Sequence, residues 1–308
     1  MTLFAFLNAL EVGVIFGLVA LGLFIGFRVL NFPDLTVDGS FASGGAVVAA
    51  LIVTGWNPWA ATAVAVAFGM LCGLVTALLN RRYGMIHLLA GILTTIGLFS
   101  INLRIMGAPN IPLLSEETIL TPVERLGWGT TQGNLLFASV VCALAVVGVF
   151  LFLRSEYGLA MRATGANPVM AQANGVNVDL CVYAGLAISN GLVALGGALF
   201  AQAAGFADVG MGTGVVLYGL AAVILGEVVL RSRSMMIILI SCVLGSIIYR
   251  VVVGFALNAQ VLGLRSSDLR LVTAVLVAVA FIISSRKHLR HSGTPIWRKM
   301  LGGKGGAT

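Results

Sequence analysis

From Leu3 to Gly26 the chain runs with Asn8 and Glu11 as its only strongly polar side chains. Runs of this kind recur along nearly the whole sequence, each close to the roughly 20 apolar residues that a helix needs to cross about 30 Å of hydrocarbon. Only 9% of the residues are charged against 59% hydrophobic, which leaves too little polar surface to cover a soluble globule of this length. The chain is therefore read as an all-α polytopic membrane protein. About nine spans are expected, near 3–26, 37–54, 58–79, 86–106, 134–153, 180–204, 214–230, 235–257 and 269–285. The first basic residue is Arg28, so the opening run lacks the basic start of a secretory signal and is expected to stay as a membrane helix. Cys72, Cys142, Cys181 and Cys242 stand singly in or beside apolar runs and are read as packing residues without chemistry.

Lys and Arg in short loops are retained on the cytoplasmic side. With these spans, 13 of the 18 basic residues fall on one side, among them Arg28, Arg81, Arg82, Arg154, Arg162, Arg231 and Arg233, and the opposite loops hold Arg125 and Arg265. That bias places the C-terminus in the cytoplasm and the N-terminus outside. The longest outer loop starts at Gly107 and is acidic and punctuated by Pro and Gly.

The six letters GLVALG occur at Gly17–Gly22 and again at Gly191–Gly196. The same offset of 174 carries Phe32 to Phe206, Asp34 to Asp208 and Gly45 to Gly219. An internal duplication follows, and repeats fix architecture before any other feature. The copies lie on spans of opposite direction, so the repeats are inverted, as in transporters built from two pseudo-symmetric halves around a solute pathway. Each copy leads into an interrupted, re-entrant stretch, NFPDLTVDGSFASGG and GFADVGMGTG, and polar backbone at membrane depth is tolerated only where protein or a wet cavity satisfies it. The expected organisation is a permease domain over 1–285, with repeat one near 1–153, a cytoplasmic segment near 154–179 and repeat two near 180–285, followed by a basic tail over 286–308.

Two readings of the acids in these stretches stay open. Asp34, Asp38 and Asp208 serve as helix N-caps near the membrane surface, or they line a pathway with Ser40, Asp34 and Asp38 toward the inner end and Asp208 toward the outer end. Arg104 and Arg250 lie inside apolar spans, where a charge needs a partner or water; pairing or snorkelling competes with solute contact. Glu11 and Glu227 carry the same ambiguity. Asn102 and Asn190 are expected to bond between helices, with Asn190 and Arg250 kept as pathway candidates.

The segment RSEYGLAMRATGANPVMAQANGVNVD, from Arg154, contains a complete short helix signal. Asn167 before Pro168 is a start, and Asn174 with Gly175 is a stop. The two turns between are too short to be stable alone, so they are expected to dock. Val169, Met170 and Ala173 would form the adaptable apolar face that enters a protein groove. An ordinary loop helix lying on its own subunit is the alternative.

The pattern of Gly158, Arg162, Ala163, Gly165, Asn167, Ala171 and Gly175 resembles the coupling segment of permease subunits of bacterial ABC importers, in the branched-chain amino acid and ribose group. The N-terminal GLVALGLFIGFRVLNFPDLTVDGSFASGGAVVAAL and the later GLVALGGALFAQAAG continue the likeness, which spans about Val12 to Ser285. In detail the chain looks most similar to permeases paired with tryptophan/tyrosine-type binding proteins. The resemblance implies a multi-pass protein of the bacterial cytoplasmic (inner) membrane that works with ABC ATPase subunits, an extracytoplasmic solute-binding protein, and a second permease copy or a paralogue. It also implies an amino acid as solute, with a nucleoside or sugar as competitors.

No GxxxxGK[ST] phosphate loop occurs, and GGKGG near Lys304 lacks its spacing. ATP and magnesium would then be bound by the partner ATPase, with no cofactor, metal or catalytic residue in this chain. No nucleic-acid partner is expected, and the basic tail is read as a solvated cytoplasmic end, with anionic membrane lipid or the ATPase as the contacts open to it. An ion-coupled secondary transporter using Glu11, Asp34 or Glu227 is the rival class.

Overall fold

The computed structural model describes residues 3–122, 130–230, 232 and 234–258. Helix α1 (Leu3–Leu23) continues as a π-helical turn (Phe24–Val29), and the chain then breaks over 30–35 before α2 (Thr36–Val53). Helices α3 (Pro58–Arg81) and α4 (His87–Met106) follow, then strand β1 (Asn110–Pro112) and α5 (Thr130–Arg154). Two short helices, α6 (Glu156–Ala166) and α7 (Pro168–Ala173), lead into the long α8 (Val178–Ala204). Strand β2 (Phe206–Asp208), α9 (Val215–Val229) and α10 (Met235–Asn258) complete the described chain.

Local chemistry explains the punctuation. Asn57 Oδ1 accepts from the Trp59 N–H at 2.9 Å with Pro58 at the first helical position, the usual start for a helix such as α3. Asn31 sits at φ 54, a left-handed conformation that Asn tolerates better than most residues, and ends the π turn.

Seven helices are long and apolar enough to cross a membrane among the described residues. The expected span near 214–230 is different. Its helix α9 has 15 residues, about 22 Å at 1.5 Å per residue, short of the hydrocarbon thickness. It is short because it starts inside the bundle, at Gly214, rather than at an end. The expected span at 269–285, the tail from 286, Arg125, Arg231, Arg233 and Arg265 lie outside the described residues. The segment expected as one long outer loop contains β1, which pairs antiparallel with β2: Asn110 faces Asp208, Ile111 faces Ala207 and Pro112 faces Phe206. Ile111 and Ala207 turn into the core. Alternation over three residues is too short to announce a strand in sequence.

Helices α1 and α8 form the centre and run antiparallel. Gly22 lies against Ser189, Gly196 against Val19 and Ile15, and Gly185 against Leu30. Leu18, Val19, Ala20 and Leu21 on α1 are fully buried. Helix α3 packs along α8, with Gly69 against Asn190 and Ala194 and Gly73 against Leu186. Helix α10 packs along α1, with Gly13 against Ile247 and Gly17 against Val243. A shift of 174 residues carries α1, α2 and α3 onto α8, α9 and α10 within a few residues, and carries the Gly13–Ile247 contact onto the 187–73 neighbourhood. The outer helices leave large apolar side chains bare, including Ile96, Leu144 and Leu151. Lipid satisfies such a surface and water does not.

Candidate functional site

The break over 30–35 lies deep in the bundle, because its neighbour Asn190 stands near the middle of the 27-residue α8. The Asp34 carboxylate is 1% exposed. One oxygen accepts from the Thr36 N–H at 2.8 Å, and the other from Asn190 Nδ2 at 2.7 Å. Ser40 Oγ donates to Asn190 Oδ1 at 2.7 Å. Thr36, Thr76 and Thr94 continue the chain of hydroxyls, with Oγ1 contacts of 2.6 and 2.9 Å, and Thr95 Oγ1 donates to the Leu35 carbonyl. The Asp34–Asn190 and Thr95–Leu35 bonds tie the non-helical segment to α8 and α4, and the others join the helices around it, which is what makes such backbone tolerable away from water. Asp34 thus accepts from the first residue of α2, as a capping acid does, and its other oxygen is held by α8.

Asp38 does not cap its own helix. Its carboxylate accepts from the Val216 N–H at 2.8 Å and the Gly214 N–H at 3.0 Å, so it caps the start of α9, 176 residues and more away. The N-termini of α2 and α9 thus meet inside the bundle, and the charge compensates the orphan donors of the second helix. Sequence reasoning selected the residue but could not supply the partner, because long-range caps leave no local signature. Asp208 lies on β2, where its Oδ1 accepts from Gly210 N–H at 2.7 Å. Arg250 is buried with its guanidinium 4.3 Å from the Phe16 ring centre and 4.9 Å from that of Tyr218, a cation–π sandwich. Arg104 is exposed near the end of α4, and Glu227 pairs with Arg28. The four cysteines are free and buried, and no group of His, Cys, Asp or Glu among the described residues could hold a metal ion.

A second cluster sits at the opposite end of the bundle from the β1–β2 ribbon. Asn167 Oδ1 accepts from Met170 N–H at 3.1 Å and Pro168 opens α7, while Asn174 Nδ2 closes it on the Met170 carbonyl at 2.7 Å. Gly175 follows at φ 82, the left-handed stop that its sequence position suggested. Val169 and Met170 are 75% and 60% exposed, Ala173 is exposed, and Ala171 alone in this helix is buried. The remaining motif residues act from below. A Cβ on Gly165 would strike the Val29 carbonyl, and one on Gly158 would strike the backbone of Phe152 and Leu153. Arg162 is half-buried beside them. Gly165 thus lets α6 rest on the last residue of the π turn, five residues before Asp34. Neither that contact nor helix α6 itself, capped by Ser155 onto Gly158 N–H at 3.3 Å, was anticipated from the sequence.

Residues 5–284 match the family described as branched-chain amino acid transport system, permease component. The chain is 35% identical to the tyrosine transport system permease protein of Clostridioides difficile, over 92% of both chains. It is 25% identical to the ribose import permease protein of Escherichia coli K12, over 82% of this chain and 77% of the relative. Among solved structures it resembles a metal-chelate type ABC transporter in an inward-facing conformation, with a TM-score of 0.51 at 17% identity, covering 92% of this chain and 85% of the other. Apolar helices, a family match over nearly the whole length and the fold likeness agree: this chain belongs to the branched-chain amino acid transport system permease family and is a multi-span ABC transporter permease subunit.

Proposed function

We propose that the chain imports an amino acid across the cytoplasmic membrane in a complex with ABC ATPases, an extracytoplasmic binding protein and a second permease. The observation that carries this reading is the contact of Gly165 with Val29. It seats α6, which leads into the exposed, doubly capped α7 suited to a partner's groove, against the chain five residues before Asp34, at the edge of the break over 30–35. A push on α6 and α7 from an ATPase would reach that break directly, with no side chain between the two backbones to absorb it. Helices α1 to α3 and α8 to α10 then form inverted halves, with the α6–α7 face cytoplasmic and the β1–β2 ribbon outside. ATP and magnesium stay on the ATPase. The tyrosine permease relative makes an aromatic amino acid the leading solute.

The test is reconstitution of the permease with an ATPase and a binding protein that co-purify with it, followed by uptake of labelled amino acids, nucleosides and ribose. ATP-dependent uptake of an amino acid is expected; uptake of a nucleoside or sugar alone, or uptake driven by an ion gradient without ATP, overturns the reading. Met170→Glu places a charge on the exposed face of α7 and is expected to weaken ATPase docking by about 2 kcal/mol or more, as for a desolvated anchor, while the permease still folds because Met170 is outside its core. An ATPase that co-purifies equally with Met170→Glu would remove α7 from the coupling role.

A further inference from the structure

Two bare faces of the bundle differ in what lies beside them. Helix α5 exposes Leu136, Val140, Leu144 and Leu151, and the groove it forms with α1 and α10, of about 340 Å³, is lined by Val14, Val146, Ile240 and Leu244 among others and by no charged side chain. Lipid tails cover such a face without loss. Helix α4 exposes Ile92, Ile96, Phe99 and Leu103, but its flank meets a cavity of about 190 Å³ lined by Asp38, Thr95, Phe99 and Thr213 among others. Phe99 and Thr213 are exposed, and Asp38 and Thr95 are half-buried, so the cavity opens to the outside of the chain. The Asp38 carboxylate accepts from the Gly214 and Val216 N–H groups. A carboxylate offers about four lone-pair sites, so water or further donors are needed on the cavity side.

Depth decides what can close that opening. Thr95 and Phe99 each lie about 10 Å or more from either end of α4 (His87–Met106) at 1.5 Å per residue. An ionisable group at such depth faces protein or a wet cavity, not hydrocarbon. Protein therefore stands between lipid and the opening on the bare side of α4, where Phe99 and Thr213 are left uncovered by the chain itself. The ridge beside the opening fits a second copy of this chain. Ile92, Ile96, Phe99 and Leu103 follow one another at steps of four, three and four, the spacing of a helix–helix seam. None of them is charged, and Arg104 lies off the ridge in the last turn, so a two-fold related copy brings its own ridge alongside without setting like charges opposite each other. We propose that the α4 face is the surface on which a second copy of this chain sits, about a two-fold axis along the membrane normal, so that the two Asp38 cavities open on one wet space shared by the copies. The inference rests on the reading of the chain as a permease that works beside a second permease.

The experiment uses the permease–ATPase complex in lipid nanodiscs, with Cys72, Cys142, Cys181 and Cys242 replaced by Ala and one cysteine returned at a time. Ile96→Cys and Phe99→Cys probe the α4 ridge, and Leu144→Cys probes the bare face of α5; all three positions are exposed, so the fold tolerates them. A short bifunctional methanethiosulfonate is expected to give a covalent permease dimer with Ile96→Cys or Phe99→Cys in about ten-fold higher yield than with Leu144→Cys. Thr95→Cys, on the cavity wall, is expected to react with a charged, water-borne methanethiosulfonate about ten-fold faster than Leu144→Cys, which lipid covers. Cross-linking through Leu144→Cys and neither α4 position, cross-linking at none of the three, or a Thr95→Cys as unreactive as Leu144→Cys overturns the surface. A complex whose mass holds one copy of this chain beside a different permease overturns the second copy as occupant. In each of these cases ATP-driven uptake of an amino acid by the same complex leaves the importer reading standing, and loss of that uptake from a complex that cross-links through α4 removes the importer reading and leaves the surface.

Discussion

Asp34 and Asp208 stand 174 residues apart at matching places after the two GLVALG segments, yet they inhabit different surroundings. Asp34 is sealed in the bundle between Thr36 and Asn190; Asp208 is half-exposed at the end of a two-stranded ribbon and bonds Gly210 two residues on. The first break is held by side chains from other helices, and the second by a backbone ladder and a local turn. A repeated sequence thus supplies the same interruption twice but not the same anchoring. Burial sets the difference: where water is absent each freed backbone group needs a designated partner, and near an end of the bundle it does not.

The largest expected effect follows from that contrast. Asp34→Ala removes two hydrogen bonds to a buried carboxylate and strands the Thr36 N–H and one Asn190 donor, so it should destabilise the fold by about 2–4 kcal/mol. Asp208→Ala removes one partly exposed bond and should cost about 0.5–1 kcal/mol. Chemical denaturation in micelles, followed by Trp fluorescence, measures both. Equal losses would break the comparison.

A second contrast concerns how the central helices pack. The α3–α8 contact is made through Gly73, where an added Cβ would meet the backbone of Leu186. In the α1–α10 contact an added Cβ on Gly17 would meet the side chains of Val243 at 3.1 Å and Cys142 at 3.3 Å. Side chains can shift by tenths of an ångström and backbone in a packed helix cannot. Gly73→Ala should therefore cost about 1–3 kcal/mol as overpacking. Gly17→Ala should lie within about 1 kcal/mol of zero, because the gain in helix propensity offsets a mild clash. The same denaturation assay ranks them, and a reversed order would mean that the α1–α10 contact is the tighter one.

The sequence made much of this legible, for reasons that particular residues expose. Asn167–Pro168 and Asn174–Gly175 bracket α7 as expected because capping is local chemistry. Both breaks follow a GLVALG segment and carry Gly with Asp or Ser, a signal that lies in the letters themselves. What could not be read depends on distant partners. Asp38 caps a helix on the far side of the chain, Gly165 matters through Val29, and β1 exists only because β2 lies beside it. Asn102 was read as a bond between helices, which its contact with Ser43 is; that its enclosed nitrogen finds no partner among the described residues required coordinates.

The smallest expected effect tests whether α1 and α9 are also tied by charge. At the α6–α7 end of the bundle, Arg28 of the π turn pairs with Glu227 near the end of α9, joining the element before the first break to the one after the second. The shift of 174 carries Arg28 to Gln202, which is 4% exposed and bonds Thr62 Oγ1 at 3.1 Å and the Ile119 N–H at 3.1 Å. One of these two positions therefore holds a neutral, dry polar residue where the other holds an ion pair. The Arg28 and Glu227 side chains are 53% and 28% exposed, so water screens the attraction, and a double-mutant cycle of Arg28→Gln with Glu227→Gln should give a coupling of about 0.2–1 kcal/mol. Raising salt to 1 M, where the screening length is about 3 Å, should erase most of it. A coupling above about 2 kcal/mol that survives high salt would mean that this end of the bundle is as dry as the Gln202 network, and the contrast between a wet and a sealed tie would not hold.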